Sequence, residues 1–334
     1  MPLPNVSDVH VDQLLTNIAQ VYLMGPSAFV AERVSPTVPV KKLTDRILQF
    51  DRADFFRDDA RPRAPGTESQ GGGFRIDTDE TYNCQEWAWH YDLPDELRDN
   101  ADQPIDLERS GTRWVTQILQ IRRDRTWALR HFAAGLWTTQ YTGVPGAPAP
   151  GQVRQWDDYV NSNPIADVEN AKDAMHTLTG FEALESMGKI RMVIGRPVWR
   201  WLKHHPVIVN RYVFSQPVPV LTEPMVASAL GVDELIVGKA VYTNTAEGGT
   251  PVVYQGILGR HALLMYVPDG PSLDTPSASY TFNYTGGNRM GQRLLMERYR
   301  SPLDSKFDRL VGSMFYDQRL LEPDLGVFIQ TVVA

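Results

Sequence analysis

Cysteine is nearly absent: Cys84 is the only one in 334 residues. A lone thiol excludes an intramolecular disulfide framework and any multi-cysteine metal site, and it suits a reducing cytoplasm. Long apolar runs are missing too. No stretch reaches the roughly 18 uninterrupted apolar residues of a spanning helix, and MPLPNVSDVHVDQLLTNIAQ has no basic region followed by an apolar one, so neither a membrane nor an export route is expected. Positive charge is in short supply, with 33 Lys+Arg against 40 Asp+Glu and a net charge of -7. A dedicated nucleic-acid binder gains affinity by neutralising phosphates with clustered cations, and this balance argues against one. It is compatible with a passive wall around DNA.

Catalytic signatures are also missing. There is no G-x-S-x-G elbow, no P-loop, no H-E-x-x-H and no glycine fingerprint after a strand. His204 and His205 are adjacent and project in different directions from a helix, which fits two polar residues at a helix end better than one metal site. The acids Asp77, Asp79, Glu80 and Glu86 lie in alternating sequence without ligand spacing and read as a solvated face. Cys84 has neither a base nor an electropositive setting in sequence and reads as a small packed side chain. GGNRMG at 286–291 lacks the Lys-Ser/Thr of a phosphate cradle and reads as a turn. No catalytic residue, cofactor or metal is therefore expected, and no enzyme.

What is present is 42% hydrophobic residues, enough for a substantial core in one or two domains. Residues 7–23 place Val11, Leu14, Leu15 and Ile18 at helical spacing. FVAERVSPTVPVKK then sets Pro36 and Pro39 among valines, so this arm is extended and unsuited to a central strand. Strand-like RILQF (46–50) and YNCQEWAWHYDL (82–93) flank the polar FFRDDARPRAPGTESQGGGF, predicting a long hairpin. Its middle has too few apolar residues to bury against a core, so it needs a neighbouring molecule to order it.

DLERSGTRWVTQILQIRRDRTWALRHFAAG (106–135) predicts a long amphipathic helix with Leu107, Trp114, Val115, Ile118, Ile121, Ala128, Leu129 and Phe132 on one face. Asp106 starts it and Gly135 closes it. Arg109, Arg113, Arg122, Arg123, Arg125 and Arg130, interspersed with Glu108 and Asp124, suit a salt-bridged face. Trp127 falls on the charged side, where a large ring implies contact with another element or another chain. TGVPGAPAPG (142–151) marks a break. Beyond it the predicted elements are a helix from Asn163-Pro164 to Gly180, a strand at 189–195, a helix from Pro197 to His204, a capped helix from Thr222 to Gly231, and strands at 234–243, 261–268, 280–285 and the C-terminus. The fold class is α+β.

This order of arm, long hairpin, very long helix, compact region and terminal strands resembles the coat-protein fold of tailed phages of the Hong Kong 97 type. FVAERVSPTVPV, DFFRDDARPRAPGTESQGGGFRI, YNCQEWAWHYDLPDELRDNADQPIDLER, NPIADVENAKDAM and GRPVWRWLKHHPVI are similar to stretches of phage major capsid proteins, over residues 29–334. The resemblance implies an N-terminal arm (1–44), an extended loop (45–104), a peripheral domain with its spine helix (105–159), an axial domain (160–290) and a return to the peripheral domain with the C-terminal strand (291–334). It implies a homo-oligomer of pentamers and hexamers in an icosahedral virion shell, assembled in the host cytoplasm around double-stranded DNA. It also implies a portal, a decoration protein and, because the arm begins so early, a separately encoded scaffolding protein. Phe55, Phe56, Arg57, Arg63, Trp87 and Trp127 are the expected inter-subunit contacts. No lysine lies between Lys42 and Lys172, so no lysine crosslink from the loop is expected. Two alternatives remain: an encapsulin-like nanocompartment of the same fold, and a cytoplasmic α/β enzyme with a lid at 57–73.

Overall fold

The computed structural model describes residues 23–99, 106–183, 188–212, 221–246, 248–271, 275–286, 293–300 and 306–334. The expected helix at 7–23 and most of the 286–291 turn lie outside them.

The long helix runs Leu107–His131, about 38 Å at the usual rise. Asp106 caps it by accepting the Arg109 N–H at 2.9 Å. It stops four residues before Gly135, a correction to the predicted end. Phe132 leaves helical geometry, and the Trp137 indole donates to the His131 carbonyl at 2.7 Å, satisfying an oxygen that another turn would have used.

This helix lies on a five-stranded sheet whose organiser is the strand Phe307–Leu320. One edge of that strand takes Leu295–Arg300 and then Ser279–Tyr284, and the other takes the hairpin's return strand Gln85–Pro94. Thr37–Val40 pairs in parallel outside Ser279–Tyr284. The arm is thus an edge strand, where Pro39 costs no ladder bond. Helix and sheet approach closely at two glycines. A Cβ on Gly111 would lie 2.4 Å from the Tyr91 ring, and one on Gly312 would lie 2.6 Å from Val115. The helix therefore tolerates glycine in its interior because Tyr91 occupies the space a side chain would take.

A six-stranded sheet forms the second layer, in the order Glu234–Gly238, Gly188–Gly195, Ala262–Pro268, Gly326–Gln330, Thr139–Val144, Gln152–Arg154. Ala262–Pro268 is buried at every position, as a central strand covered on both faces must be. Pro164–Thr179, with Gly180 left-handed at its end, and Glu223–Leu230, ended by Gly231 in the same conformation, are the two predicted helices, although Thr222 makes no side-chain capping bond, and both pack against strands of this sheet. The predicted break at 142–151 is corrected: Thr139–Val144 and Gln152–Arg154 are strands of the sheet, joined by an exposed turn. The two sheets draw strands from distant parts of the chain, so the molecule is interlaced in sequence.

Candidate assembly interface

The hairpin leaves the body on short ladders, Thr44–Arg46 with Thr81–Asn83 and Gln49–Phe50 with Ile76–Asp77. At its base Tyr82 stacks on Phe282 at 4.6 Å, and Arg52 bridges to Glu322 (3.3 Å) and Asp324 (2.7 Å) in the turn before the last strand. Burial raises the Glu322 carboxyl above its usual range and Arg52 opposes the rise. These partly shielded pairs set the direction in which the hairpin projects.

Farther out, Phe50, Phe55 and Phe74 form their own cluster, with ring centroids 5.5 to 6.0 Å apart. Phe55 remains 59% exposed and Phe74 56%. Aromatic rings gathered on an exposed segment and left half in water form a candidate contact surface. Asp54 accepts from the Arg75 backbone and guanidinium and pairs with Arg57 at 2.9 Å, bracing the two sides below the tip. Residues 57–73 have no helix or strand and are exposed throughout, Arg63 included.

Of the expected contacts, Phe55, Arg57 and Arg63 are solvent-facing. Phe56 is 54% exposed and overhangs an open cleft that Arg52, Glu322, Asp324 and His176 also line. Trp87 lies on the hairpin's return strand and is half-covered by its own subunit, with Arg122 over its face at 4.2 Å and Tyr316 stacked against it. Trp127 is a correction. It is fully buried, its indole donates to Ser35 Oγ at 2.8 Å, and it stacks on His131, so it has no surface to offer a neighbour.

The wheel reading of the helix needs a second correction. Val115 and Ala128 are buried as expected, yet Leu129 is 65% exposed and Trp114 39%, while Arg123, Asp124, Thr126 and His131 point inward. The expected salt-bridged face is likewise different. Glu108 pairs with Arg298 at 2.9 Å, Arg125 covers the Tyr242 ring, and the buried Arg123 pairs with Glu32 of the arm. Asp124 accepts the backbone N–H groups of Val30 and Ala31 at 2.8 and 2.9 Å. Burial nonetheless raises its carboxyl to about 6. Val30, Ala31 and Val34 enter the main core beside Trp127. This part of the arm is therefore packed on its own subunit. No sequence signal set Asp124 apart from the charged run around it.

The chemically suggestive groups are structural. His205 is buried and its Nδ1 accepts the Val207 N–H (3.3 Å), which leaves the ring proton on Nε2, facing Ser162 Oγ at 2.9 Å. Ser162 in turn donates to the Asp158 carbonyl at 2.6 Å, so the imidazole holds no free lone pair with which to activate it. Cys84 is buried against the Phe282 carbonyl, and burial pushes its thiol up to about 12, far from a thiolate at neutral pH. Asp77, Asp79, Glu80 and Glu86 are exposed. Among the described residues no helix is long and apolar enough to cross a membrane.

No family model matches the chain, and no curated protein matches it. Solved structures do. A phage-related protein from Bordetella bronchiseptica RB50 is 22% identical, with a TM-score of 0.66 over 92% of this chain and 93% of its own. The capsid of cyanophage P-SCSP1u matches at 11% identity and a TM-score of 0.61, covering 98% and 95%. An encapsulin of Synechococcus elongatus PCC 7942, in its holo-SrpI complex, matches at 13% identity and a TM-score of 0.54, covering 100% and 98%. Likeness of this extent defines the class: the chain has the Hong Kong 97-type coat-protein fold along nearly its whole length.

Proposed function

We propose that this chain is a major capsid protein, whose copies assemble as pentamers and hexamers into the icosahedral head of a tailed phage around double-stranded DNA. The observation that carries the reading is the projecting hairpin, whose Phe50, Phe55 and Phe74 cluster is left about half exposed by its own subunit. The shared fold, in which a capsid is among the matches, supports a structural role. In this reading residues 1–44 are the arm, 45–104 the loop reaching a neighbour, 105–159 the peripheral domain, 160–290 the axial domain and 291–334 the return. Phe55, Phe56, Arg57 and Arg63 meet the adjacent subunit. Each copy gives one hairpin and receives another, so affinity accumulates around a closed ring. Scaffolding, portal and decoration proteins are its further partners, and the virion is its final location.

The likeness to an encapsulin supports a second reading, a nanocompartment shell. Cargo separates the two: DNA in particles from an infected host favours the capsid, and a co-purifying enzyme favours the compartment. The enzyme reading is weakened by His205 and Ser162, whose hydrogen bonds run opposite to those of a nucleophile and its base. The test is expression with a scaffolding protein, followed by light scattering and electron microscopy. Shells, or rings of five or six copies of the 37.7 kDa chain, are the expected result. A persistent monomer or dimer would overturn the proposal.

A further inference from the structure

The tip of the hairpin has a chemistry of its own. Arg61-Pro62-Arg63-Ala64-Pro65 is exposed throughout, and neither arginine has an ion-pair partner among the described residues. Pro62 and Pro65 fix their own φ and bias Arg61 and Ala64 toward extended backbone. The turn that follows is closed at the Ala64 carbonyl, which accepts from the Thr67 N–H (3.2 Å) and hydroxyl (2.8 Å), with Gly66 at φ 82°. The sequence thus favours a short, cationic P-x-x-P segment with much of its backbone freedom already removed. Segments of this kind dock in aromatic-lined grooves with little entropy left to lose.

A groove of matching character lies at the base of the same hairpin. The open cleft beneath Phe56 has a volume of about 630 Å³, within the range of roughly 300 to 1,000 Å³ usual for ligand sites. Phe50, Phe56, Leu178 and Pro323 give it apolar walls, and Leu178 is 41% exposed. Its floor is acidic, because Glu322 and Asp324 share the one guanidinium of Arg52 and a negative charge is left over. The last turn of Pro164–Thr179 also lines it, and the carbonyl end of a helix favours a cation. In its own subunit the tip segment does not line the cleft. We propose that Arg61–Pro65 of one copy docks in this cleft of a second copy, with Pro62 and Pro65 against Phe56 and Leu178 and Arg63 on Glu322 and Asp324. The docking rests on the capsid reading and names where on the neighbour the hairpin tip lands. Each copy carries both halves of the contact, so head-to-tail docking closes into a ring.

The test places Ala64→Cys and Leu178→Cys, both at exposed positions, in the full-length chain, expresses it with a scaffolding protein and oxidises the particles mildly. Cys84 is buried and does not compete. The expected result on a non-reducing denaturing gel is a ladder of dimers and higher species that collapses to monomer on reduction. Moving the second cysteine from Leu178 to Val160, which is 88% exposed but lies beyond the other end of the Pro164–Thr179 helix, about 20 Å away by helical rise, should abolish the ladder. In the otherwise unaltered chain Arg63→Glu should cut the yield of particles several-fold, while Arg63→Lys keeps most of it. Shells that form without a ladder, a crosslinked monomer in its place, or an undiminished yield with Arg63→Glu would each overturn the docking and leave the capsid reading standing. Failure of the unaltered chain to form shells or rings would overturn both.

Discussion

Replacing Asp124 with Asn should make the subunit's stability respond differently to pH. Asp124 ties the arm to the long helix through two backbone N–H groups, yet its folded carboxyl lies near 6 because burial outweighs those bonds. An unfolded aspartate titrates near 3.8. The folded state therefore binds the proton more tightly. The group's stabilising contribution is fully present below the unfolded pKa and is lost as pH rises through 6. Over the whole interval this amounts to about 3 kcal/mol, and between pH 7 and pH 5 the wild type should gain about 1.3 kcal/mol relative to Asp124→Asn. The amide still offers one oxygen to the arm and loses the second bond, a cost of about 1 to 3 kcal/mol that does not vary with pH. Urea denaturation of unassembled subunits at pH 5, 6 and 7, followed by tryptophan fluorescence, measures the difference directly. A constant gap between the two proteins across that range would refute the argument that burial governs this carboxylate.

Trypsin should cut unassembled subunits after Arg57 and Arg63, in the exposed chain at the hairpin tip, and spare both sites in assembled particles; equal cleavage in the two states would count against a covered tip. Phe55→Ala with Phe74→Ala should leave the subunit's melting temperature within a few degrees of wild type, because both rings are more than half exposed, while sedimentation shows assembly abolished. Gly312→Ala should destabilise the subunit by about 1 to 3 kcal/mol, because its methyl would meet Val115, Leu119 and Met296 within 3.0 Å; an unchanged urea midpoint would show that the helix can lift off the sheet without penalty. Trp127→Phe should cost about 1 to 2 kcal/mol in the same assay by leaving Ser35 and Ser279 without the indole donor, and should not impair assembly of folded protein.

Local chemistry determined much of this protein before any packing was known. Asp106 begins a helix, Gly180 and Gly231 end theirs, Pro39 keeps its strand at an edge, and the polar tip of the hairpin finds no core. Each follows from dihedral preference, capping or composition within a few residues. The order of these elements also carried the resemblance to the coat-protein fold. Tertiary structure decided which face of the long helix is inside. Periodicity assigns Leu129 and Trp114 to the core and Arg123 and Asp124 to water, but the arm, approaching from residues about ninety positions away, brings backbone donors and Glu32 that meet those charges. It equally decided that Trp127 is a core residue and that the last strand joins the six-stranded sheet. Such outcomes depend on partners distant in sequence, and a buried charge is tolerated only where those partners satisfy it.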